Sequence, residues 1–384
     1  MPFARRSPTH RTAGFVVASL MLWAGAAAAA ATVAAPAPPP PSSAVEARPP
    51  RAWDVAALPL VSYQPETSLG LGAQLVLVRT ASSGSPEEER HDTLALMVTA
   101  TRKRQYGLGF TGQKYWNEDR DRLRVDVLAQ RFPNTFWGLG NATPEAAADA
   151  YTPSLIGTQI GYGHRVFERL FAGVTVAVGY YLLDSYAPGG AVADFLSTRL
   201  SQGWLVGIGP TLSRDSRDDS NFPRSGSTSA VGLTAYRSAW LSDYQFVEID
   251  LDHRMFFSLP HASVLALQAF GEGVIGEPPI ELLPALGGPE RLRGYFQGRY
   301  RDKVYGMAQV EWRVPLFWRI SGALFAAAGD VLPDLAHVAD VRLKTAGGGG
   351  LRLNVGQTQP VNIRLDGAVA PGSTGVYLTI GEAI

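Results

Sequence analysis

The chain has 384 residues, 34 basic and 34 acidic side chains, 41 glycines, no cysteine and a mean hydropathy of zero. Balanced charge and only 18% charged residues exclude a nucleic-acid binder, which needs a basic face, and a charge-driven disordered chain. Without cysteine there is no disulfide scaffold, zinc ribbon or thiol nucleophile, and a single long apolar run, near the N-terminus, excludes a polytopic helical membrane protein.

That run follows Arg5, Arg6 and Arg11 and reads FVVASLMLWAGAAAAAA, the basic, apolar and small-residue regions of a secretory signal peptide spanning about residues 1–35. A retained anchor helix is the alternative, disfavoured by the short, alanine-rich apolar core. Residues 36–52, rich in proline and alanine, read as a semi-rigid linker. An exported folded unit is expected over 53–384.

From Trp53 onward the hydrophobic period is two. Glu248, Asp250 and Asp252 alternate with Val247, Ile249 and Leu251, and Gln309, Glu311 and Arg313 alternate with Val310, Trp312 and Val314. Strands are expected near 55–64, 68–79, 91–101, 105–115, 121–131, 152–165, 170–183, 202–214, 226–238, 244–257, 262–276, 304–315, 319–330, 345–355, 361–370 and 374–384. Most are long enough to cross a bilayer when tilted. The longest connections, 132–151, 184–201, 277–303 and 331–344, all follow odd strands, as external loops do if both barrel ends are periplasmic. Aromatic residues at strand ends, including Tyr115, Trp116, Phe132, Trp240, Phe256, Phe257, Phe317 and Trp318, fit interfacial girdles. Alternation alone also fits a soluble sandwich; the strand lengths and loop asymmetry favour an all-β fold, a sixteen-stranded antiparallel transmembrane β-barrel.

Several apparent motifs carry no chemistry. Gly107–Gly112 matches GxGxxG but lacks a following helix, and Gly347–Gly350 lacks the lysine of a phosphate loop. In a strand such glycines permit bending or the close approach of another backbone. His91, His164, His253, His261 and His337 are scattered without metal-ligand spacing, and no Ser/His or Asp/His group suggests catalysis. No cofactor, metal or catalytic centre is expected.

The segment 277–303 differs, with Arg291, Arg293, Arg299 and Arg301 among glycines between two clear strands. It is either a flexible exterior loop or one folded into the lumen, where an arginine needs a carboxylate partner such as Glu311. Leu292-Arg293-Gly294-Tyr295 resembles the loop-six hallmark of the BamA/TamA superfamily, the bacterial surface antigen barrels. Asp215, Arg217, Asp218, Pro223 and Gly226 resemble that family's periplasmic turn before strand nine, and VEWRVPLF its strand twelve, with Glu311 facing inward. Gly375, Leu378 and Ile380 fit a C-terminal assembly signal, although the chain runs on to Ile384.

The resemblance implies that loop six folds into the lumen and that Arg293 pairs with acidic groups on strands twelve and thirteen. The family's strand-thirteen aspartate aligns with Ala327, so Glu311 is expected to hold Arg293 alone or with Asp330. The resemblance also implies a bacterial outer-membrane location and a role in inserting or translocating protein or lipid. Its expected partners are outer-membrane lipid, the barrel assembly machinery during biogenesis and a separate periplasmic protein, because the roughly 20 residues ahead of the first strand leave no room for a POTRA domain. The alternative is a plugged pore without insertase activity.

Overall fold

The computed structural model describes residues 53–79, 92–219, 222–355 and 362–384. The expected signal peptide at 1–35, the linker at 36–52 and the 80–90 connection lie outside the described residues.

The barrel strands are β1 (Trp53–Gln64), β2 (Ser68–Arg79), β3 (Asp92–Thr101), β4 (Tyr106–Trp116), β5 (Asp121–Arg131), β6 (Asp149–Phe167), β7 (Leu170–Tyr186) and β8 (Gln202–Asp215). They continue with β9 (Gly226–Tyr236), β10 (Phe246–Ser258), β11 (Val264–Gly276), β12 (Val304–Phe317), β13 (Ile320–Leu332), β14 (Lys344–Asn354), β15 (Asn362–Ala370) and β16 (Ser373–Ile380). Each pairs antiparallel with the next, and β16 returns to β1. A three-residue strand, Asn134–Phe136, extends the pairing of β6 beyond the reach of β5. The result is a closed sixteen-stranded antiparallel barrel, in which every neighbouring pair of strands except β16 and β1 satisfies its backbone groups along an extended ladder, as hydrocarbon requires.

The two faces separate as alternation requires. On β10, Glu248, Asp250 and Asp252 are buried, whereas Ile249 and Leu251 are exposed. Ile156, Trp204, Leu212, Leu324, Leu351 and Val376 continue that exposed apolar band. In a soluble protein so wide a band would be a liability; on a barrel it is the lipid-facing wall. Trp116, Trp240, Phe257, Phe317 and Trp318 are exposed at strand ends, as a girdle requires, but Phe132 and Phe256 are 5% and 3% exposed and point inward. Both fall on the inward parity of their strands, Phe132 with Gln130 and Phe256 with Asp252, so alternation itself sets them off the girdle.

One end of the barrel carries tight turns and the other long loops. At the long-loop end a short helix, Ala191–Leu196, sends Val192 and Phe195 into a cluster with Phe136, Tyr151, Leu155, Ile280 and Leu282. With Tyr244 the cluster draws on four separate connections, so they pack as one cap over the mouth. The connection after β13 is more exposed. There Asp334 Oδ1 accepts from the Ala336 N–H at 2.8 Å and lies 2.7 Å from His337 Nδ1. The His337 bond holds the Asp334 carboxyl below its usual 3.8, and the same bond raises His337 above its usual 6.5. Because the aspartate is lowered and the histidine raised, this cap is fully present between about pH 3.8 and 6.5. It is lost as pH falls through the lowered aspartate value or rises through the raised histidine value. An NMR titration of His337 is expected to move toward 6.5 in Asp334→Asn.

The C-terminus departs from expectation. The last strand, read from sequence to run to Ile384, ends at Ile380, and the final four residues turn inward. Gly381 N donates to Asn362 O, and Ile384 packs on Phe256 and Ala266 inside the wall.

Candidate functional site

The lumen-facing residues of β12, β13 and β15 converge on one side chain from the connection between β11 and β12. Arg293 is wholly buried: Nη2 donates to Glu311 Oε2 at 2.8 Å and Nη1 donates to Asp366 Oδ2 at 2.6 Å. Its guanidinium lies 3.4 Å over the Phe325 ring of β13. A planar fork can serve two carboxylates while its face rests on an aromatic ring, which an ammonium cannot do.

The two carboxylates are themselves held. Arg352 donates to Asp366 Oδ1 and, at 3.1 Å, to Glu382 Oε2; Arg313 Nε donates to Glu311 Oε1 at 2.8 Å. Arg364 Nε is 3.6 Å from Asp366 and Nη2 donates to Pro289 O at 3.1 Å. Four arginines and three carboxylates thus form one network running from the loop to the inward-turned tail. Such a network is stable only if every member is paired, so removing one costs more than the pair would have contributed.

Space for the network comes from a missing side chain. A Cβ on Gly350 would lie 2.0 Å from Asp366 Oδ1 and 2.8 Å from Arg352 Nη1. The glycine run read from sequence as room for bending or close approach is therefore, at Gly350, room for an ion pair.

The sequence-predicted residues divide. Glu311 does contact Arg293, but the second carboxylate is Asp366 on β15, not Asp330 on β13. Asp330 is buried elsewhere: Oδ2 accepts from Asn141 Nδ2 at 2.8 Å and from Arg342 N at 2.6 Å, tying two loops at the long-loop end. Its depth explains the difference. Asp330 stands opposite Gly306 and Glu311 opposite Phe325, so five residues of strand separate their levels. Asp366 escaped the sequence reading because only the bend of the wall brings β15 to β12; its place on the polar face with Arg364 was the available signal.

The rest of the loop-six motif faces the closing strands. Gly294 N donates to Tyr377 Oη at 2.9 Å, and Ser373 Oγ donates to Gly294 O at 2.6 Å, both from β16. Leu292 and Tyr295 are buried with Phe270, Tyr305 and Val331. On the other side of the closure, Gln297 N donates to Glu66 Oε1 at 2.6 Å in the β1–β2 turn. Burial raises the Glu66 carboxyl, while that N–H bond and Lys103 oppose the rise. One loop therefore grips both flanks of the β16–β1 junction.

That junction is weak. Where β1 and β2 share twelve residue pairs, β1 and β16 share Tyr63 with Leu378 alone. In this register Ile380 falls opposite Val61, so β1 from Trp53 to Leu60 has no β16 residue beside it. Of the C-terminal signal residues, Leu378 makes the single pair, Gly375 packs against Tyr377, and Ile380 closes the strand.

The predicted turn between β8 and β9 is compact at its base. Asp215 accepts from both Nε and Nη2 of Arg217, and Asp218 Oδ1 accepts from the backbone N–H groups of Asp219, Arg224 and Ser225. Gly226 has φ +94°, and a Cβ there would lie 2.2 Å from Ser216 O; Pro223 is buried within the turn. Gly226→Ala is expected to cost at least about 1–2 kcal/mol from handedness alone and to lower the temperature at which the folded band disappears in a heat-shift gel.

A sixteen-stranded transmembrane β-barrel, with Arg293 of the β11–β12 connection buried against Glu311 and Asp366, defines the class of this protein. Within that class, the Omp85 superfamily domain matches residues 90–371, and the chain belongs to the Omp85 superfamily. Among solved structures it resembles BamA from Haemophilus ducreyi lacking POTRA domains 1–3, at TM-score 0.61 and 13% identity, covering 87% of this chain and 70% of that one. It also resembles CdiB from Escherichia coli, at TM-score 0.57, 11% identity and 88% of this chain, and CdiB from Acinetobacter baumannii, at 0.52, 10% and 86%. The chain spans a little under two thirds of each CdiB, 63% and 65%. Comparison with curated proteins finds no match.

Proposed function

We propose that this barrel resides in the bacterial outer membrane and aids the insertion or translocation of protein, or of lipid, by opening laterally between β16 and β1. The observation that carries this reading is the single-pair junction bridged by loop six. A strand edge left bare from Trp53 to Leu60 is a template for an incoming strand, and the loop that plugs the lumen is the same loop that pins both sides of the seam. The chemistry is mechanical, with no catalytic centre. Recruitment of substrate falls to a separate periplasmic partner, and the barrel itself reaches the membrane through the barrel assembly machinery.

The absence of native cysteines makes the test clean. Tyr63→Cys with Leu378→Cys places two thiols at the one paired position, and their oxidation should staple the seam. In liposomes, the reduced variant is expected to accelerate insertion of an unfolded barrel client, the oxidised one to lose that acceleration, and reductant to restore it. Equal acceleration in both states would defeat the proposal. A large ion conductance in planar bilayers that is unchanged by stapling would instead identify a plugged pore.

A further inference from the structure

Neither the latch nor the seam uses a second group of charges on the inner wall. Glu248 and Asp250 sit two apart on β10, and Glu272 on β11 stands directly opposite Asp250. One carboxylate oxygen from each lies within 4.8 Å of the others. Glu248 and Asp250 are 1% and 4% exposed, yet Glu248 Oε1 and Asp250 Oδ1 have no hydrogen-bond partner.

Two observations beyond the cluster point to a ligand. Tyr305 on β12 stands opposite Glu272, is 1% exposed, and its hydroxyl also has no partner. A cavity of about 20 Å³, the volume of one water or one ion, reaches the cluster at Glu248; Gln159 and Tyr236 are its other polar groups, and Leu155, Ala177, Leu205 and Leu282 form its apolar wall. The cations in electrostatic range are Arg291 and Arg301. The Arg291 guanidinium lies 3.6 Å over Phe270, and Arg301 Nη1 donates to Ile280 O and Leu283 O at 2.9 and 3.4 Å. Neither is ion-paired with any of the three carboxyls, which therefore lack a direct cationic partner.

An all-oxygen donor set selects a hard cation over zinc or copper. The number of protein oxygens selects further: magnesium gives up its waters reluctantly and is seldom enclosed by several protein carboxylates, whereas calcium accepts them in a flexible shell. We propose that Glu248, Asp250 and Glu272 form a calcium site in the lumen, cross-linking β10 to β11 below loop six.

The full chain, refolded without lipopolysaccharide in non-ionic detergent and stripped with chelator, is titrated with calcium chloride by calorimetry and by thermal unfolding. One saturable site and a raised unfolding temperature are expected, with magnesium at least tenfold weaker. Asp250→Asn with Glu272→Gln should lose the calcium response and, in chelator, unfold at a higher temperature than the parent because the repulsion is gone. If that double variant does not fold, Glu248→Gln is read by the same criterion. No calcium binding by the parent, the result if Arg291 and Arg301 suffice as counter-charges, overturns the proposal. So does parental affinity in the variants.

Discussion

Arg293→Ala is expected to destabilise the barrel by about 3–5 kcal/mol, because it strands Glu311 and Asp366, both without solvent exposure, as buried charges. The lost stacking on Phe325 adds to that cost. In a heat-shift gel the folded band should disappear at a lower temperature than in the parent, and loop six should become open to protease near Leu292-Arg293-Gly294-Tyr295. Arg293→Lys is expected to recover only part of the loss, since one ammonium cannot hold two carboxylates in the plane of a fork. A parental gel shift in Arg293→Ala, with the loop still protected, would show that the latch carries no stability.

Asp366→Ala should be at least as damaging. Asp366 is shared by Arg293, Arg352 and Arg364, all buried, so its removal leaves three clustered guanidiniums facing Glu311 and Glu382. The substitution removes one of the network's anions and none of its cations. Asp366→Asn keeps an acceptor and should fall between parent and alanine. Asp330→Ala gives the contrast: it frees Asn141 and Arg342 at the long-loop end and should leave protease protection of loop six unchanged. If Asp330→Ala exposes loop six and Asp366→Ala does not, the assignment of the second carboxylate is wrong. In either variant the tail is also informative, because Arg352 joins Asp366 to Glu382; loosening one end of the network should loosen the other.

Much of this molecule was legible before any coordinates. Alternation along 244–257 or 304–315 needs no partner to be read, since a strand wetted on one face and greased on the other must alternate. Loop asymmetry then separated a barrel from a sandwich, and the motif residues Leu292 to Tyr295 and Glu311 pointed to the latch. The strand end at Ile380 was not legible, because Thr379, Ile380 and the residues after them remain apolar enough to continue a strand. What ends it is Gly381, whose φ of +91° turns the chain after one last ladder bond to the Asn362 carbonyl, and the Arg352 and Arg313 side chains that draw Glu382 and Ile384 inward.

The sequence by itself determined the strands and the face each residue takes, since both follow from local periodicity, while the arginine that latches the loop was marked by the resemblance of Leu292-Arg293-Gly294-Tyr295 to the family's loop-six motif. Tertiary structure alone decided which carboxylates answer that arginine. Depth within a barrel depends on the register of every intervening pair, so Asp366, distant in sequence, reaches Arg293 while Asp330, on the neighbouring strand, stands five residues too high. The same closure decided that β1 meets β16 through one pair, and that Glu248, Asp250 and Glu272, unremarkable as alternating polar residues, come together as a single charged group.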